Sequence, residues 1–192
     1  LKKRSGPIIF DVKCSSQLPA LSNELGGKAI MEKTGHFNIK KAIKKHNAVL
    51  GGEMSGHIFI NHEWYGFDDA IYTAAILAQI ISDAESSSSE VINKFPKTFS
   101  TPELNLDVSD DEKFKMVEQF KSEMSFPNSE LNTIDGVRVT IGSAWGLVRA
   151  SNTSPKLVFR FEAETEEELK EIKELFLDNL KRIFPDLSLN FS

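Results

Sequence analysis

Cysteine is almost absent from this chain. A single thiol, Cys14, in 192 residues excludes an internal disulfide framework and cannot supply a multi-cysteine zinc site. Long apolar runs are missing as well; nothing approaches the roughly 18 consecutive apolar residues of a membrane span. Leu1-Lys2-Lys3-Arg4 is basic, but Gly6-Pro7 stands where the apolar region of a secretory signal would follow. The expected setting is therefore cytoplasmic, with no membrane partner. Internal repeats are lacking, and so is any recognisable nucleic-acid module. No nucleic-acid partner is expected, and the basic residues read as solvated helix face or as attraction for a small anion.

What is present suits a globular protein with real cores: 40% of the residues are hydrophobic and 27% charged, with a net charge of −5. The length fits one large or two small domains. The charge is uneven, since residues 1–65 hold 10 Lys+Arg against 5 Asp+Glu, and the remainder 13 against 23. Lys40, Lys41, Lys44 and Lys45 account for much of the basic excess. Pro7-Ile8-Ile9-Phe10-Asp11-Val12 reads as a buried strand with little chain before it, which suggests a piece cut from something longer.

The first half alternates strand and helix signals: strands at 8–12, 28–32, 48–51 and 58–60, helices at 17–25, 38–46 and 68–83. Ile71, Ala75, Ala78 and Ile81 share one face of the last helix. Such alternation predicts an α/β layer with a mixed, largely parallel sheet. The serine-rich stretch 84–90 reads as a helix breaker. The second half differs: a helix at 110–124, strands at 137–141, 145–149 and 156–163, and a helix to about residue 183. That last helix opens on Thr165-Glu166-Glu167-Glu168, a capping box in which hydroxyl and carboxylate each serve a free amide. This is an α+β pattern, and the boundary is expected near residues 95–100, giving domains 1–97 and 98–192.

Two loops carry chemistry. Gly52-Glu53-Met54-Ser55-Gly56-His57 places a carboxylate, a hydroxyl and an imidazole between two glycines, directly after an apolar strand. Glycine suits a tight turn, and carboxylate plus hydroxyl suit adjacent groups of a polyol. An ordinary polar turn stays open beside a polyol site. In Arg149-Ala150-Ser151-Asn152-Thr153-Ser154-Pro155 a guanidinium fork, hydroxyls, an amide and backbone N–H groups converge as a phosphate requires. A Ser/Thr or Asx turn closed by Pro155 is the alternative. Asp68-Asp69 reads as a helix N-terminus, and Trp64, Tyr65 and Phe67 as packing that fixes the first loop. Cys14 beside Lys13 lacks any local activating base for a nucleophilic role.

Taken together, Gly-Glu-Met-Ser-Gly-His, Trp64-Tyr65-Gly66-Phe67-Asp68-Asp69, Asp11-Val12-Lys13-Cys14-Ser15, Thr34-Gly35-His36 and Gly146-Leu147-Val148 before the 149–155 loop resemble the α-D-phosphohexomutase family. The likeness is strongest to its bacterial phosphomannomutase/phosphoglucomutase branch and covers essentially the whole chain. It implies the third and fourth of four domains around one cleft, the fourth of the TATA-binding-protein-like α+β kind. The implied activity of the full-length parent is an isomerase of carbohydrate metabolism, an intramolecular phosphotransferase that interconverts hexose 6-phosphate and hexose 1-phosphate through a bisphosphorylated sugar.

By the same resemblance, Glu53, Ser55 and His57 bind the sugar, the first two holding its 3- and 4-hydroxyls. Arg149, Ser151, Asn152 and Thr153 grip the phosphate that is not reacting. Lys13 and His36 lie near substrate, with His36 a possible auxiliary in proton traffic. The family's phosphoserine loop, of the Thr-Ala-Ser-His-Asn-Pro type, and its Asp-Gly-Asp-Gly-Asp-Arg magnesium loop do not occur in these 192 residues. No catalytic nucleophile and no metal ligand are therefore expected here. Mg2+ and hexose 1,6-bisphosphate as intermediate and activator are expected of the parent, and the expected partners are hexose phosphates and the parent's N-terminal domains, in cis or in trans. A phosphoglucosamine mutase fragment, or a non-catalytic binding module of a split mutase, is the competing reading.

Overall fold

The computed structural model describes residues 6–187 and Phe191; the basic stretch 1–4 lies outside them. The chain divides into two compact units, Leu1–Pro96 and Lys97–Ser192.

In the first unit the elements run β1 (Pro7–Asp11), α1 (Gln17–Glu24), β2 (Lys28–Glu32), α2 (His36–His46), β3 (Leu50–Gly52), β4 (Ile58–Ile60), α3 (Ala70–Asp83) and α4 (Ser88–Ile92). The sheet order is β2-β1-β3-β4. β1 is parallel to both β2 and β3, while β4 returns antiparallel to β3. Ile39, Ala42 and Ile43 form the buried stripe of α2, at the i, i+3, i+4 spacing of an amphipathic helix. They pack with Ile9, Ala48 and Phe59 into one core. Gly51 permits that approach: a Cβ there would stand 2.7 Å from Ile39 Cγ2 and Ile43 Cδ1. Lys44, Lys45 and His46 fill the last turn of α2, where cations complement the helix dipole.

Three features differ from the pattern reading. Gly52 belongs to strand β3 and pairs with Ile58; only Gly56, at φ +91, needs a glycine's left-handed freedom in the 53–57 loop. Helix α3 is capped by Asp69, whose carboxylate accepts from Tyr72 N at 2.9 Å, yet it has no buried residue. Ile71 is 86% exposed and Ala75 and Ala78 are exposed with it, so three of the four residues of the apolar face found by periodicity point outward; Ile81 is half-buried, as are Tyr72, Thr73 and Ile76. Period identifies a face but not its direction. The serine-rich stretch, finally, also starts a helix: Ser87 accepts from Glu90 N while Glu90 accepts from Ser87 N, a second capping box.

The second unit runs β5 (Phe99–Ser100), β6 (Leu104–Asp107), α5 (Lys113–Glu123), β7 (Glu130–Asn132), β8 (Val137–Ile141), β9 (Ala144–Ala150), β10 (Lys156–Ala163) and α6 (Glu166–Ile183). Its sheet is ordered β5-β10-β9-β8-β7, with β6 also on β10, and every pair is antiparallel. β5, β6 and β7 escape sequence reading because two to four residues are too few to display a period. Helix α6 buries Ile172, Phe176, Leu180 and Ile183 beneath its capping box, in which Thr165 Oγ1 accepts from Glu168 N at 3.2 Å. Gly146 gives Phe176 its room, since a Cβ there would stand 2.5 Å from that ring. Strand β10 is buried on both faces, with Leu157, Phe159 and Phe161 on one and Val158 and Glu162 on the other.

Candidate functional site

The strand order β2-β1-β3 means that the chain leaves β1 to one side, then crosses back to its other side. Such a reversal opens a crevice beyond the carboxyl ends of the strands, where ligands of open α/β sheets bind. β1 ends at Asp11, β2 at Glu32 and β3 at Gly52. The loop after β1 carries Lys13, that after β2 leads into His36 at the start of α2, and that after β3 carries Glu53, Ser55 and His57. All five sequence-identified residues of this unit thus come to one edge of one sheet.

The 53–57 loop is a hairpin turn between β3 and β4, closed by Glu53 N to His57 O at 3.0 Å and Gly56 N to Glu53 O at 3.0 Å. Ser55 Oγ and His57 Nδ1 are 2.7 Å apart, so hydroxyl and imidazole act as one exposed pair. The His57 ring is flanked by Glu53 Oε2 and Asp68 Oδ2, each at 3.8 Å, and its centroid stands 6.4 Å from that of His36. Glu53 is buried, and its Oε1 accepts from Gly35 N at 2.6 Å. One carboxylate oxygen therefore ties the hairpin to the start of α2, and Oε2 faces His57.

Asp11 accepts four hydrogen bonds at this edge. Completely buried, it accepts through Oδ1 from Lys13 N, Cys14 Sγ and Met54 N, at 3.2, 3.1 and 3.3 Å. Its Oδ2 accepts from Thr34 Oγ1 at 3.1 Å. Cys14 is buried with its thiol donating to that carboxylate, the opposite of an activated nucleophile. Of the aromatic residues after the hairpin, Trp64 packs as expected, stacked on Tyr72 at 4.1 Å with its Nε1 donating to Asp69. Tyr65 and Phe67 are exposed instead.

In the second unit, residues 151–155 link β9 to β10, and Arg149 stands within β9 near its end, paired with Val158. Arg149 is buried, with Nε donating to Asp135 Oδ2 at 2.9 Å and Nη2 meeting no acceptor. Ser151 Oγ accepts from the backbone N–H groups of Thr153 and Ser154, at 3.3 and 3.2 Å. Those are long contacts for N–H···O, and the donors are of the kind an anion takes. Asn152 and Thr153 are exposed at the tip. Lys113, buried in the first turn of α5, donates to Ser154 O at 3.0 Å while paired with Asp110 at 2.6 Å.

Sequence reasoning gave no role to Asp11, Thr34, Asp135 or Lys113. The Asp135-Gly136 dipeptide is a turn signal that locates the residue but not its partner. Gly136 sits at φ +78, where a Cβ would stand 2.2 Å from Val148 O, and this contact brings Asp135 beside Arg149. Lys113 carried no signal, because a helical lysine reads as solvated surface. Among the described residues no three His, Cys, Asp or Glu side chains gather to hold a metal ion, and no helix is long and apolar enough to cross a membrane.

Both units are similar to domains of known proteins. Residues 1–99 match the family model for the phosphoglucomutase/phosphomannomutase α/β/α domain III, and residues 103–179 match that for the C-terminal domain. The phosphomannomutase/phosphoglucomutase of Pseudomonas putida is 50% identical over 184 residues, which cover 96% of this chain and 40% of that protein. A phosphoglucomutase of Neisseria meningitidis serogroup A is 46% identical over 88% of this chain and 37% of its own length. A phosphoglucomutase/phosphomannomutase family protein of Burkholderia thailandensis, solved by crystallography, superposes with a TM-score of 0.91 at 39% identity over 99% of this chain and 40% of that one. The chain spans about two fifths of the length of these relatives. With both of its units matched by family models, this chain belongs to the phosphoglucomutase/phosphomannomutase family, of which it carries domain III and the C-terminal domain.

Proposed function

We propose that this chain supplies the sugar-recognition and phosphate-gripping parts of a phosphomannomutase/phosphoglucomutase that interconverts hexose 6-phosphates and hexose 1-phosphates through a bisphosphorylated sugar. The observation that carries the reading is the convergence of Lys13, His36, Glu53, Ser55 and His57 beyond the carboxyl ends of β1, β2 and β3. Glu53 Oε2 accepts a sugar hydroxyl and the Ser55–His57 pair donates to or accepts from its neighbour. A carboxylate beside a hydroxyl serves adjacent diols in either orientation of the ring, as a mutase must when its substrate presents two ends in turn. Lys13 compensates phosphate charge, and His36 lends a hydrogen bond near the reacting oxygen.

The 149–154 segment holds the phosphate that is not reacting. Arg149 Nη2 offers an unpaired, buried donor, and the amides of Thr153 and Ser154, now on Ser151 Oγ, pass to phosphate oxygens. Asn152 and Thr153 complete the grip from the exposed tip. Phosphoryl transfer depends mainly on positioning and charge compensation, and these residues provide both. The transferring serine and the Mg2+ loop are assigned to the parent's N-terminal domains, with the hexose 1,6-bisphosphate as activator and the cytoplasm as setting. No step is routed through a metal in this chain. Near 50% identity to phosphomannomutase/phosphoglucomutases favours that branch over the phosphoglucosamine mutases.

The test is titration of the 15N-labelled chain with inorganic phosphate and with glucose 1-phosphate. Phosphate is expected to shift amides of residues 151–154, and glucose 1-phosphate those of 53–57 as well. Arg149→Ala should weaken phosphate binding at least about tenfold, the worth of a charge-assisted pair. Unchanged phosphate-induced shifts in that variant would remove Arg149 from the grip.

A further inference from the structure

We infer that Asp11 is the positioning residue of the sugar site, a buried carboxylate that sets three loops in register with one another. This rests on the reading of the 53–57 hairpin as a sugar-recognition element. The loops after β1, β2 and β3 are separate in sequence, and parallel strands bring their starts side by side without fixing the loops themselves. Asp11 supplies what the sheet does not. Its Oδ1 takes Lys13 N and Cys14 Sγ from the first loop and Met54 N from the third. Its Oδ2 takes Thr34 Oγ1 from the second. A fully buried carboxylate is costly unless its lone pairs are met, so the four donors are held where the carboxylate needs them. A second strut runs through Glu53, whose Oε1 takes Gly35 N. Lys13, His36 and Ser55 each lie within one residue of a donor to one of these two carboxylates, and His57 lies three residues from Met54 and 3.8 Å from Glu53 Oε2.

The geometry also explains why the residue is aspartate. Glutamate would carry the carboxylate one methylene too far in a site with no exposed surface. Asparagine keeps one acceptor, and its amide can donate to the Thr34 hydroxyl, which can turn and accept. It preserves the shape and loses the charge assistance that makes such bonds about twice as strong. Asp11 touches no reacting group; it acts through the loops.

The test uses the 192-residue chain, 15N-labelled, with glucose 1-phosphate and inorganic phosphate as separate probes. In Thr34→Val, which removes one donor from the second loop, the amides of Lys13 and Met54 should shift and exchange faster, because they share the carboxylate that lost its partner. If neither amide responds, Asp11 does not couple the loops and the inference is overturned. In Asp11→Asn, glucose 1-phosphate should bind about tenfold more weakly to the folded protein, while inorganic phosphate at residues 151–154 binds within about twofold of wild type. Wild-type affinity for the sugar phosphate in Asp11→Asn would overturn it too, since a residue that merely supports the fold lowers stability without changing the affinity of folded molecules. Should Asp11→Asn fail to fold, the Thr34→Val arm decides. Should the wild-type chain show no response at 53–57 to glucose 1-phosphate, the sugar-site reading fails, and the Thr34→Val amide shifts still report whether Asp11 joins the loops.

Discussion

Arg149 and Ser154 are each held by a residue from elsewhere in their unit, and those holders set how well the loop is preorganised. Asp135 fixes the guanidinium through Nε and Nη2 meets no acceptor, so a neighbour outside the loop sets how the arginine is oriented. Lys113 fixes the far end of the loop through Ser154 O. Its ion-pair partner Asp110 is exposed, so the pair itself contributes little and the bond to the carbonyl matters more. Lys113→Met is expected to lower stability by about 1–3 kcal/mol, the range for a charged hydrogen bond to a buried group. Phosphate affinity should fall with it. Urea denaturation with an unchanged m-value, alongside phosphate titration, reads both; full stability in the variant would show that Lys113 does not hold the loop.

Among the elements, helices α2, α3 and α6 show three fates of an apolar pattern. The stripe of α2 is packed through a strand glycine, and Ile39→Ala should cost about 2–5 kcal/mol as a core truncation. Helix α3 carries its apolar face outward, so Ile71→Lys should change stability by less than about 0.5 kcal/mol. A thermal melt of the two variants separates them, and equal losses would mean that α3 is packed after all. At α6 the limit is overpacking: Gly146→Ala drives a methyl into the Phe176 ring and should destabilise by about 1–3 kcal/mol.

The short helix α4 depends on its cap. The backbone amide of Ser87, then its hydroxyl, donates to the Glu90 carboxylate and holds its pKa below the ordinary 4.5. A depressed folded pKa means that this stabilisation is present above the ordinary value and is lost as pH falls through the lowered one. Carbon-detected titration of the Glu90 carboxyl should show a midpoint below those of uncapped glutamates, and Ser87→Ala, which removes the hydroxyl and keeps the backbone amide, should raise it only part of the way. A midpoint unmoved by Ser87→Ala would show that the hydroxyl has no share in the shift.

For the whole molecule, each unit has its own core and its own motif loop, but the sequence holds no phosphoryl carrier of the family's type. The 192-residue chain, prepared free of host mutase, is expected to bind sugar phosphates weakly and to convert none. A coupled assay with glucose 1-phosphate and glucose 1,6-bisphosphate checks this, and turnover proportional to the chain's concentration would overturn it. Weak binding follows because a ligand held by part of its site gives up contacts and preorganisation.

The sequence by itself determined the strand and helix periods, the Thr165 capping box, and the two motif loops with their separation. Each of these is local chemistry: spacing, capping and turn residues act within a few positions. It did not reveal that Glu53 spends one oxygen on Gly35, that the face of α3 points outward, or that Asp11, Asp135 and Lys113 hold the loops. Those facts depend on which strands lie side by side and on close backbone approaches at Gly51, Gly136 and Gly146. A buried carboxylate finds its donors only after the parallel strands have brought three distant loops to one edge. The tertiary structure alone decided that.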